Sequence, residues 1–185
     1  YRSKDVTQTS SDDKRVQRTQ QALFEAFTDL VLSRPYADIK VADIIEAAGV
    51  GRSTFYEHYQ SKDDVLQQAM GGLLAALADT ITPQYSPERV RFVVAHFWQN
   101  RVRANALNQP QTRAVITRAL AAAFETRLAL RPGHPRVPAK LLAQQLAEAQ
   151  FGLLWSWLAG QASCSPDQIA DTLAATTRAI VDAAL

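Results

Sequence analysis

Residues 44–62 read IIEAAGVGRSTFYEHYQSK. Their apolar members fall into two short groups on either side of a glycine. Val41, Ile44, Ile45 and Ala48 make a stripe of about two helical turns, Gly49 is placed to end it, and a second short helix is expected from Gly51 to Tyr59. Helices this short do not hold in isolation. They must therefore pack on a longer neighbour, through Ile44, Ile45, Val50 and Phe55.

On the N-terminal side that neighbour is a helix expected from about Lys14 to Ser33. Leu23, Phe27, Leu30 and Val31 stand on its buried face, and Pro35 forces its end. Residues 1–13 are polar with one aliphatic side chain and no period, and read as a flexible lead. On the C-terminal side a fourth helix opens at Ser61, with Asp63 and Asp64 in its first turn, and continues through Leu66, Met70, Leu73, Leu74 and Leu77. Gly71 and Gly72 interrupt it at a cost of about 1 kcal/mol each relative to alanine. They are expected to serve either as a hinge or as a site of close approach by a neighbouring helix.

The remainder is helical with clear punctuation. Ser86-Pro87-Glu88 opens a helix bearing Val90, Val93, Val94, Phe97 and Trp98, and another is expected from about Thr112 to Leu130. Arg131-Pro132-Gly133-His134-Pro135 breaks the chain. A helix from Pro138 to Ala159 follows, and Ser165-Pro166-Asp167-Gln168 carries the capping box of the last one. With 31 alanines among 185 residues and only seven glycines, an all-α fold is indicated.

The second short helix bears Arg52, Ser53, Thr54, Tyr56 and His58, with Lys62 just beyond, while Val50 and Phe55 can turn inward. Two short helices joined by a glycine turn, the second lined with groups able to meet phosphates and base edges, describe a helix-turn-helix that reads the major groove of DNA. Phe55 and Tyr59 are expected in the core.

Residues 14–66 resemble the DNA-binding region of the TetR family of bacterial transcriptional regulators. Ala48-Gly49-Val50, Thr54-Phe55-Tyr56, His58-Tyr59 and Ser61-Lys62 stand in the order and spacing of the family signature. The resemblance implies a homodimer of about nine helices per chain. An N-terminal three-helix helix-turn-helix domain (residues 14–60) would be followed by a C-terminal helical effector-binding and dimerisation domain (residues 61–185). It also implies that Arg52, Ser53 and Thr54 face DNA, that Tyr56 and His58 contact bases or phosphates, and that Lys62 grips phosphate. Val41 and Ala42 would open the supporting helix near the DNA backbone, beside Lys40, with Lys14 and Arg15 adding positive charge. Lys40 and Gly51 stand where many members carry hydroxyl caps; Asp43 can offset the first, and glycine is an acceptable cap at the second. The partners implied are a palindromic double-stranded operator, with recognition helices about 34 Å apart or a multiple of it, and a small-molecule effector that releases the protein from that operator. No cofactor or metal is implied.

Charge neither demands nor forbids this reading. The formal net charge is +2, and residues 1–70 hold nine basic against eleven acidic side chains. The DNA-facing charge must then be local, and binding is expected to weaken steeply as salt rises. The steepest charge feature lies elsewhere: residues 89–140 carry ten basic residues and one acid, Glu125. A solvated arginine-rich surface explains that segment, and so does attraction of an anionic effector.

In the second domain only periodicity guides the reading. Phe92, His96, Gln99 and Arg103 share one helical face, and Phe151 and Trp155 share another; together they make a candidate effector pocket. The alternative places Trp98, Trp155 and Trp157 in the core and leaves His96 at the surface. Leu142, Leu146, Ala149, Leu153 and Trp157 are the candidate dimer stripe on one late helix. Ala170, Leu173, Ala174, Thr177 and Val181 supply it on the last, where Ala175, Ala179 and Ala183 add small side chains.

Other function classes fit less well. His58, His96 and His134 are scattered, no HExxH or glycine-rich phosphate loop occurs, and Cys164, the only cysteine, has no evident histidine partner, so an enzyme is not expected. No apolar run reaches the roughly 18 residues of a membrane span, and no secretion signal is evident, so a cytoplasmic protein is expected. A helical DNA- or protein-binding scaffold without a small-molecule switch is the alternative to the regulator.

Overall fold

The computed structural model describes residues 5–133 and 135–185, with the side chains of residues 5–13, 103 and 106 excepted. Among them are nine α-helices and no strand, as an all-α sequence requires. The helices are α1 (Asp5–Ser33), α2 (Val41–Ala48), α3 (Arg52–His58), α4 (Lys62–Ala78), α5 (Pro87–Gln99), α6 (Arg101–Leu107), α7 (Pro110–Leu128), α8 (Ala139–Leu158) and α9 (Pro166–Ala184). Short 3-10 turns occupy Tyr36–Asp38 and Asp79–Ile81.

Two features depart from expectation. Helix α1 begins at Asp5 rather than Lys14, so residues 5–13 are helical and only 1–4 of the expected lead lie outside the described residues. Once the amphipathic part of a helix is nucleated, each further polar residue adds one backbone hydrogen bond and needs no apolar period of its own. Helix α6 is the other. Its seven residues, RVRANAL, are too few to show a period, and Asn100 and Asn108 flank it.

The caps behave as their residues dictate. Ser86 Oγ accepts from the Arg89 N–H at 3.2 Å, and Ser165 Oγ from that of Gln168 at 3.2 Å, while Gln168 Oε1 accepts from the Ser165 N–H at 2.9 Å. At α4 the Asp64 carboxylate accepts from the N–H groups of Gln60 and Ser61, and Ser61 Oγ returns the favour to the Asp64 N–H.

The chain divides into two compact units, residues 1–69 and 70–185. The division falls nine residues beyond the expected end of the first domain at 60, because the first turns of α4 belong with α1: Val65 and Ala69 line the same groove as Gln17, Gln20 and Phe24. In the first unit α1 packs on α2 around Leu23, Phe27, Ile39, Ile44, Phe55 and Leu66, all buried. In the second, α7 lies against α8, α5 against α9, and α8 against α9, over a core that includes Val94, Phe97, Ile116, Phe124, Leu146 and Phe151.

The arginine-rich segment is answered by acids outside it. Asp79 binds Arg127 at 2.6 Å and Arg89 at 3.1 Å; Arg91 meets Asp171 at 3.1 Å and Asp167 at 3.9 Å; Arg113 pairs with Glu148 and Arg131 with Asp182. Hydrogen bonds from Ser86 and the backbone hold the exposed Glu88 carboxyl below its usual pKa, and Asp171 raises that of Arg91. Five of the segment's nine described basic side chains thus have carboxylate partners. Asp79 is the one most enclosed, and Arg127 also donates to the carbonyls of Ala123 and Ala75. Replacing Asp79 by Asn is expected to lower unfolding stability by about 2 kcal/mol in a denaturant titration, as it leaves two guanidiniums without their counter-charge.

Gly71 and Gly72 are not there for close packing: a Cβ built on either meets nothing within 4 Å. The Gly71→Ala, Gly72→Ala double variant is therefore expected to gain up to about 1 kcal/mol per site, read as a higher denaturation midpoint.

A candidate nucleic-acid interface in the N-terminal unit

Helix α2 is started by Asp43, whose Oδ2 accepts from the Lys40 N–H at 2.8 Å and also binds Arg34 at 3.1 Å. The carboxylate thus supplies the N3 half of a capping box and sits at the positive end of the helix, while no side chain accepts at the N-cap position itself. The helix ends at Gly49 in the left-handed region, φ 64°, with Gly49 N–H on Glu46 O and Val50 N–H on Ile45 O. Only glycine takes that conformation without strain, and the chain reverses there into α3. Gly51 caps α3 through extended backbone alone.

The rotation of α3 is set by Phe55, which is completely buried, and by Tyr59 one turn on, which is nearly so. Their rings lie 5.8 Å apart, and burial raises the Tyr59 phenol above its ordinary pKa. With those two inside, Arg52 and Ser53 are exposed, Thr54 and His58 half-buried, and Tyr56 48% exposed. Arg52 extends over the Tyr56 ring, 5.6 Å from its centroid. Val41 is half-buried and Ala42 exposed at the start of α2; Lys40, and Lys14 and Arg15 on α1, are also exposed. A helix with arginine, hydroxyls, phenol and imidazole on its open side can donate to phosphates and hydrogen-bond to base edges.

Lys62 is a correction. Expected to grip phosphate, its ammonium instead donates to the carbonyls of Tyr36 at 2.6 Å, Ile39 at 2.8 Å and Ala37 at 3.5 Å, and lies 4.3 Å from the Tyr36 ring centroid. An ammonium has three donors, and here all three go to the turn ahead of α2. The Tyr36 hydroxyl in turn donates to the neighbouring Asp63 carboxylate.

Residues 21–69 match the sequence profile of the family described as bacterial regulatory proteins, tetR family. Over that N-terminal segment the chain is similar to the TetR family. Over 76 residues it is 38% identical to the uncharacterized HTH-type transcriptional regulator YxbF of Bacillus subtilis, covering 40% of this chain and 20% of that protein. Over 84 residues it is 30% identical to the HTH-type dhaKLM operon transcriptional activator DhaS of Lactococcus lactis, covering 45% and 39%. The match to these curated relatives thus spans less than two fifths of their length. Among solved structures, a TetR transcriptional regulator from Streptococcus agalactiae covers 91% of this chain and 98% of its own, with 26% identity and a TM-score of 0.56. The curated relatives are named as transcriptional regulators, and the segment they share with this chain is its N-terminal part.

The second unit places the candidate effector residues in two different settings. Phe92, 66% exposed, stacks on His96 on the open face of α5, and Gln99 is exposed beside them. Phe151 and Trp155 are buried and stacked on each other in the core. The first group thus lies at the surface and the second in the core. Arg103 lies in α6, but its side chain is not among those described. Trp155 and Trp157 are core residues, as the alternative had it, and Trp98 stacks on Trp157 at 4.6 Å.

The dimer stripe needs a similar correction. Leu142, Leu146, Trp157, Ala170, Leu173, Ala174, Thr177 and Val181 are buried within the single chain. They hold α8 and α9 in place and present no side chain to a partner. Of the ten candidates only Ala149, exposed, and Leu153, half-buried, remain at the surface. Each late helix carries two apolar faces, and the periodicity identified the inner one.

Lys62→Met tests the internal role. It is expected to lower the melting temperature of the chain while leaving the salt dependence of DNA binding unchanged. A lost phosphate contact would instead reduce the log–log salt slope by about 1.

Proposed function

We propose that this protein is a cytoplasmic DNA-binding transcriptional regulator, a homodimeric repressor that a small molecule releases from a palindromic operator. The observation that carries the reading is the division of α3. Phe55 and Tyr59 are locked inside while Arg52, Ser53 and Tyr56 stand outside, in a segment shared with proteins named as HTH-type regulators.

Dimerisation is supported by the faces of α8 and α9 that the chain leaves uncovered. Leu141 is 60% exposed and Ala149 is exposed on α8, and Ala175, Ala179 and Ala183 are exposed on α9. Small side chains of that kind let a second helix approach closely. Effector binding is supported by the interior of the second unit. Thr112 Oγ1, Thr117 Oγ1, Gln150 Oε1 and Trp155 Nε1 are buried without a hydrogen-bond partner. Each costs about 1–3 kcal/mol unless a bound molecule or solvent completes it. These replace Phe92, His96 and Gln99 as the residues to test for effector contact. A cytoplasmic setting suits a DNA ligand, and no helix among the described residues is long and apolar enough to cross a membrane.

Selection of bound sequences from random DNA tests the reading. The expected product is a palindrome whose half-sites lie about one DNA turn apart or a multiple of it. Binding should fall steeply with salt, and Tyr56→Ala should abolish it with helix content unchanged. Enrichment of no sequence by the wild-type chain would overturn the proposal.

A further inference from the structure

Between α2 and α3 lies an open recess of about 380 Å3. Val41, Ala42 and Ile45 of α2, Val50 of the turn and Tyr56 of α3 line it. Gly49, in its left-handed conformation and lacking a side chain, leaves the recess open at the turn. The wall is mainly hydrocarbon, on a face otherwise made of arginine, hydroxyls and phenol. Ile44 is fully buried, yet Ile45 beside it and Val50 across the turn are only half-covered by the chain.

Two charges border the recess and restrict what can enter it. Glu46 is exposed at its edge, and a carboxylate there repels a phosphate. Arg52, held over Tyr56 at 5.6 Å, supplies a donor toward base-edge acceptors. The occupant must therefore be a base edge with an apolar group. In the major groove only thymine offers one, its 5-methyl.

We propose that this recess reads the thymine 5-methyl group, with Ile45 and Val50 as specificity-determining residues. This rests on the DNA-binding reading and adds to it a base and the side chains that choose it.

The test replaces thymine by uracil, one position at a time, in the operator obtained by selection. That removes the methyl and leaves both the protein and the base pairing untouched. At one thymine per half-site, wild-type binding is expected to weaken about fourfold, the equivalent of ~0.8 kcal/mol for one buried carbon. In Ile45→Ala, or in Val50→Ala where the first variant lacks native helix content, the thymine and uracil operators should bind alike. Wild-type binding indifferent to every uracil substitution would overturn the recess proposal while leaving DNA binding intact. So would an undiminished methyl effect in the variants. A chain that selects no DNA sequence would overturn both proposals.

Discussion

Everything proposed for the N-terminal unit depends on the burial of Phe55. Helix α3 has seven residues, too few to be stable in water, so its existence and its rotation are both imposed by packing. One fully buried ring at the centre, with Tyr59 a turn later beneath the same face, leaves a single orientation for what remains. Arg52 and Tyr56 face out because, at helical spacing, they have no other place. Chemistry on the open side is thus a consequence of hydrophobic burial on the closed side.

Lys62 supports that arrangement from behind. A charged group that reached outward would add one phosphate contact. Turned inward, it gathers three carbonyls of the turn between α1 and α2, groups that lie outside any α-helix. The charge is stabilised by carbonyl dipoles and by the Tyr36 ring, so no carboxylate is required against the ammonium itself. Position in a motif did not reveal this, because a lysine at the start of a helix can swing to either side. Its direction is decided by the carbonyls of Tyr36, Ala37 and Ile39, which only the folded turn brings together.

The parts of the fold that could be read from sequence were those where one local signal suffices. Gly49 at the end of an apolar stripe, serine followed by proline, and serine three residues before Gln168 each act within a few residues, and each is found where the pattern put it. Helix α6 and the first nine residues of α1 lack such signals. The candidate dimer residues show a different limit. On α8 and α9 apolar or small residues occur on both the inner and outer sides, so periodicity marks a helix as amphipathic without saying which stripe meets the chain's own core. Burial resolves it: Leu142, Leu146 and Ala174 are inside, while Ala149 and Ala179 are outside.

The arginine-rich segment illustrates the same limit for charge. A local excess looked like an attraction for anions, yet Asp79, Glu148, Asp167, Asp171 and Asp182, remote in sequence, converge on it in space. Paired arginines on a surface attract a ligand far less than their count implies, since each carries its counter-charge with it. The buried polar side chains of the second unit among the described residues are Thr80, Thr112, Thr117, Gln150 and Thr177, and none is charged. Gln150 bonds Thr177 through its amide nitrogen at 2.9 Å and keeps its oxygen free. With Asn108 Oδ1, the unpaired buried side-chain atoms described in that unit are one indole donor, two amide oxygens that accept and two hydroxyls able to act as either. An effector seated against them would be matched by neutral hydrogen-bonding groups, because an ionised one would enter the interior with no opposite charge to meet it.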